Sequence, residues 1–108
     1  MKNTDTFQVI GRRWFDRING NTYHSVKIQR VRDGFVIRAP FQYGYGDHYR
    51  QTALELMDSV KWLPVKYRGK EKTGAHKAFM YERENNYPIE WFVSDGLKRD
   101  CIANGKMG

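Results

Sequence analysis

An internal disulfide is closed to this chain, because its single cysteine, Cys101, has no partner within it. A reducing, intracellular compartment, here the cytoplasm, is the default expectation. Prolines number only three, and no apolar run is long enough for a signal peptide or a membrane span. Neither a membrane partner nor a linker dividing domains is therefore expected. Histidines are few and scattered: His24, His48 and His76 lie far apart, without a His-x-x-Glu-His or Cys-x-x-Cys spacing beside them. No metal, no cofactor and no catalytic residue is expected on that pattern, since a nucleophile and base would have to be assembled by the fold around Cys101 or a serine. Acidic residues are also in short supply, 12 against 19 lysines and arginines, which leaves a net charge of +7. Such a surface attracts polyanions.

What is present is enough for one core. With 108 residues, 40% hydrophobic and 15% aromatic, residues 1–108 read as a single α+β domain. Met1 to Thr6 is polar and expected to fray. Phe7 to Phe15 reads as a strand bulged at Gly11. Asn19-Gly20 supplies the positive φ of a hairpin turn. Thr22 to Val31 then alternates, with His24, Val26 and Ile28 on one face and Tyr23, Ser25, Lys27 and Gln29 on a wet one. Asp33-Gly34 marks a second hairpin into Phe35 to Ala39, and Pro40 ends that strand or holds it at an edge. The three segments form a three-stranded antiparallel meander.

From Asp47, the expected N-cap, the period changes. Tyr49, Ala53, Leu56, Met57, Val60 and Leu63 recur at the spacing of an amphipathic helix, which Pro64 stops at about Leu63. Trp62 points off that stripe and either packs under the C-terminal segment or stands exposed as a contact residue. A mobile basic loop follows at about 66–77. Ala78 to Glu84 fits a short helix or a strand. Ile89 to Ser94 is strand-like, and Asp95-Gly96 predicts a turn into Leu97 to Ile102, a C-terminal β-hairpin that extends the sheet or covers its edge.

Two patterns carry chemistry. Gly44-Tyr45-Gly46 before a helix start is half of a phosphate-binding glycine loop, but Tyr49 holds the third glycine's position and Asp47 repels a phosphate. A small-nucleotide binder is the weakest reading. The stronger pattern interleaves basic and aromatic residues: Arg12, Arg13 and Arg17 flank Trp14 and Phe15, Lys27 shares a strand with Tyr23, and Lys66, Arg68, Lys70 and Lys72 surround Tyr67. Cations gain from counterion release on phosphates, and exposed rings stack on unpaired bases. A domain this small needs most of its rings inside, so Trp14, Phe15 and Tyr23 are each expected in the core.

Arg12-Arg13-Trp14-Phe15, Gly20 to Val26 and Phe41 to Tyr49 together resemble small uncharacterised proteins of bacteriophages and prophages. The resemblance covers roughly the first 60 residues, with Val93 to Asp100 as a looser echo, and the segment from Lys66 to Tyr87 is longer than in that family. It implies an accessory protein acting inside a bacterial host cell, with nucleic acid or host machinery as partner. Two functions follow as expectations. The first is non-enzymatic nucleic-acid binding through Arg12, Arg13, Arg17, Lys27, Lys66, Arg68, Lys70 and Lys72. The alternative is a protein-binding antagonist of a host defence or replication enzyme, using Tyr43, Tyr45 and Trp62. An unpaired strand edge also leaves a homodimer open.

Overall fold

The computed structural model describes residues 6–63, 67–69, 78–85 and 88–106. Three strands form the expected meander: β1 (Phe7–Asp16), β2 (Asn21–Arg30) and β3 (Val36–Tyr43). The helices α1 (His48–Ser59) and α2 (Ala78–Glu84) follow, then β4 (Ile89–Asp95) and α3 (Lys98–Asn104). The sheet is four-stranded and mixed, in the order β3-β2-β1-β4. β4 lies parallel to β1, with Phe7 opposite Ile89 and Arg13 opposite Asp95. A parallel neighbour cannot be reached by a tight turn, so the chain crosses from the β3 edge to the far edge through α1 and α2.

The C-terminal hairpin is therefore corrected. Asp95 ends β4, the Gly96 N–H donates to the Arg13 carbonyl at 2.9 Å, and the chain turns into a helix rather than a returning strand. Leu97, Cys101 and Asn104 recur at helical spacing, and Cys101 is buried while Asn104 is half-buried. That face docks on the side of the sheet opposite α1. The Cys101 thiol donates to the Arg12 carbonyl at 3.2 Å, and Asn104 Nδ2 donates to the Ile10 carbonyl at 3.1 Å and to Ser25 Oγ at 3.2 Å. Ser25, expected on a wet face, is fully buried by this contact. Gly105 closes it, since a Cβ there would stand 2.5 Å from the Ala39 carbonyl oxygen.

Nor is Gly11 a bulge. The β1–β2 register runs unbroken through Ile10 opposite Lys27, Gly11 opposite Val26 and Arg12 opposite Ser25. The glycine is needed for another reason: a Cβ there would lie 2.7 Å from Cδ2 of Tyr49, whose ring rests on the strand. The irregularity falls between β2 and β3, where the step from Val26 to His24 is matched by the longer step from Ala39 to Gln42. Pro40 sits in that irregular step, on an edge strand where its missing donor costs nothing.

The core fills the space between the sheet and α1, with Phe7, Val9, Val26, Ile28, Ala53, Leu54, Met57 and Ile89 all buried. Tyr81 of α2 meets Phe7 edge-on at 6.1 Å and Tyr67 at 5.3 Å. α1 opens without a side-chain bond from Asp47, although that residue does hold the N-cap position. It also ends at Ser59 rather than Leu63. Lys61 adopts φ 60°, and the N–H groups of Trp62 and Lys61 donate to the carbonyls of Met57 and Asp58 at 2.9 and 3.1 Å. This is a Schellman closure with a lysine in the left-handed position where glycine is usual.

Candidate nucleic-acid interface

Helix α3 covers only the middle of its face of the sheet. Toward the β1–β2 turn the strands run on past it, and there they carry rings. The register sets Trp14 opposite Tyr23 and Tyr23 opposite Tyr43. Trp14 and Tyr23 stack with centroids 5.7 Å apart, Tyr23 and Phe41 lie nearly parallel at 5.0 Å, and Tyr43 meets Tyr23 edge-on at 5.8 Å. None of these rings belongs to the core: Trp14, Tyr23 and Phe41 are half-buried, and Tyr43 is 57% exposed. Phe15, on the other face, is exposed as well. The expectation that Trp14, Phe15 and Tyr23 are core residues is thus corrected, because the core's rings are those of Phe7, Tyr49, Tyr67 and Tyr81.

Cations border this row. Lys98 Nζ lies 5.2 Å from the centroid of the Trp14 ring, a cation–π geometry. Arg17 sits exposed in the turn and makes no hydrogen bond or ion pair among the described residues. The turn itself is held by Asp16, whose carboxylate accepts from the N–H groups of Ile18 and Asn19 and from Asn19 Nδ2 at 3.0, 3.3 and 2.8 Å. The bond from the Asn19 side chain does most to hold the Asp16 carboxyl below its ordinary range.

Adjacent residues on a strand face opposite ways, so Arg12 and Arg13 do not form one grip. Arg12 shares the α3 face and bonds Ser94 Oγ. Arg13 faces the α1 side, where Nε pairs with Asp95 at 2.8 Å and Nη1 donates to the Gly46 carbonyl at 3.1 Å. Lys27 lies half-buried on the α3 face, opposite Ile10 and Arg38. Arg38 donates to the Asn104 carbonyl at 3.2 Å and so closes the end of α3. Arg68 is turned to the backbone, with Nε donating to the Leu63 carbonyl at 2.7 Å. Lys66, Lys70 and Lys72, and with them most of the expected basic loop, lie outside the described residues.

The alternative contact set is dispersed. Tyr45 is 70% exposed beside Tyr43, whereas Trp62 is half-buried on the α1 face, stacked on Phe7 at 5.9 Å with the Arg30 guanidinium 4.5 Å above it. Tyr43 pairs at one end of β2, opposite Tyr23, and Phe7 at the other, opposite Arg30.

At the glycine junction the Gly44 N–H donates to the Thr22 carbonyl and the His48 N–H to the Tyr45 carbonyl, at 3.0 and 3.1 Å. His24 is fully buried there, with Nδ1 3.1 Å from the Gly44 carbonyl and Nε2 2.7 Å from the Thr52 hydroxyl. A neutral ring satisfies both, donating to the carbonyl and accepting from the hydroxyl. Burial pushes its pKa down. Burial likewise pushes the Cys101 thiol up, away from the reactive thiolate. Among the described residues no cluster of metal-ligating side chains occurs, and no helix is long and apolar enough to cross a membrane.

Two contributors to this surface escaped the sequence reading. Phe41 and Tyr23 become neighbours only across the β2–β3 irregularity, and Lys98 reaches Trp14 only because its segment is helical. Trp14 opposite Tyr23 was within reach, by counting outward from a turn closed between Asp16 and Asn21. Compared with family models, with curated proteins and with solved structures, the chain matches none.

Proposed function

We propose that this chain binds nucleic acid without catalysing a reaction on it, as an accessory protein of phage type working inside a bacterial cell. The observation that carries the reading is the ring row Trp14, Tyr23, Phe41 and Tyr43, left uncovered by α3 and bordered by Arg17 and Lys98. Rings of this kind offer sequence-tolerant contacts to bases, and the net charge of +7 supplies attraction to the backbone. The test is fluorescence anisotropy of labelled DNA and RNA between about 50 and 200 mM salt, where binding by several cations weakens steeply. Absence of binding at the low end would sink the reading.

A second reading, an antagonist that binds a host protein, draws on the exposed pair Tyr43 and Tyr45. It expects a stoichiometric host protein to survive nuclease treatment in a pull-down, and to be lost on Tyr45→Ala.

A further inference from the structure

Beyond the ring row, between the β1–β2 turn and the β4–α3 junction, lies a cleft of about 480 Å³. That is within the size range of small-ligand sites. It is lined by Trp14, Phe15, Ile18 and Leu97 where β1 runs past the end of β4, and Ile18 is 93% exposed. We propose that this cleft receives an unpaired nucleobase, which makes the ligand single-stranded nucleic acid. The inference rests on the nucleic-acid reading and narrows it.

Charge decides how such a ligand would lie. Arg17 lines the cleft and Lys98 stands over Trp14 beside it, so cations are available to the sugar–phosphate chain at the rim. Asp16 and Asp95 also line it. Both are engaged within the protein, Asp16 with the turn and Asp95 with Arg13 at 2.8 Å. Their negative charge disfavours a phosphate in the interior and leaves a neutral base unopposed. A base held in a duplex is stacked on both faces and paired along one edge, and cannot enter without being extruded. An unpaired base enters freely, with its neighbours passing over Trp14 toward Tyr23.

Three probes of equal length separate the possibilities: a fluorescent oligothymidylate, an abasic sugar–phosphate chain and a duplex, each titrated at fixed low salt. The intact single strand is expected to bind about tenfold or more tighter than the abasic chain, as stacked bases do. Leu97→Ser removes one apolar wall while placing a favourable cap at the start of α3, where Leu97 makes no side-chain bond, so the fold is retained. It should cut that preference severalfold, to what the ring row alone supplies, and leave abasic-chain affinity in place. Equal binding of all three probes, or a preference that Leu97→Ser does not alter, would overturn the cleft and leave phosphate binding standing. No binding of any probe would remove both.

Discussion

Under α1, the sheet presents Val9, Val26 and Ile28 to Ala53, Leu54 and Met57, and water is excluded. Under α3, the same strands present Ser25 to Cys101 and Asn104, joined by hydrogen bonds, and then a row of rings that no helix covers. One face is closed by apolar contact and the other is fastened at its centre and left open at one end. Apolar burial holds the fold, while the polar fastening fixes where the short helix stops and therefore which rings stay reachable.

If that contrast holds, mutations on the two faces should fail differently. Ile28→Ala, beneath α1, should cost about 2–5 kcal/mol in urea unfolding, and exchange of amide hydrogens should quicken across all four strands. Ser25→Ala, beneath α3, should cost about 1–3 kcal/mol, because Asn104 loses one of its buried acceptors. Its faster exchange should be confined to residues 98–104. A global response to Ser25→Ala would erase the distinction.

Smaller effects sharpen it. Lys61→Gly relieves the left-handed residue that closes α1 and should stabilise by about 1 kcal/mol, with nucleic-acid affinity unaltered. His24 gives the closed face a pH dependence. Its folded pKa lies below the ordinary 6.5, so between the two values the unfolded chain holds the extra proton and the folded one does not. Stability from this group is complete above about 6.5 and declines as pH falls through that window. Asp16 and Asp33, held below 3.8, act at lower pH. Urea midpoints in the upper window should lose this slope in His24→Gln.

How much of this was legible follows from what sets each feature. The meander was readable because Asn19-Gly20 and Asp33-Gly34 are local turn signals and His24, Val26 and Ile28 alternate. The helix was readable from its stripe, but its end was not: Lys61 takes a conformation that its residue type does not announce. β4 was visible as a strand, yet its parallel place beside β1 depends on a crossover that no local residue encodes. Asp95-Gly96 misled, since the dipeptide that makes hairpins also ends a strand before a helix. The site was legible in composition and not in arrangement. Arg12-Arg13-Trp14-Phe15 reads as a cluster along the chain, but a strand sends Arg12 and Trp14 to one face and Arg13 and Phe15 to the other. Only the register of three strands then brings Trp14, Tyr23 and Phe41 together.

The chain's three tryptophans divide between the two faces, Trp14 in the ring row and Trp62 and Trp91 on the α1 side, where Trp91 bonds Glu82. Titrating isotope-labelled protein with an oligothymidylate, and following the indole N–H signals by NMR, reads both faces at once. The expected result is a progressive shift of the Trp14 signal with Trp62 and Trp91 unmoved. Shifts confined to Trp62 or Trp91, or binding that moves none of the three, would contradict the assignment of the open face as the nucleic-acid interface.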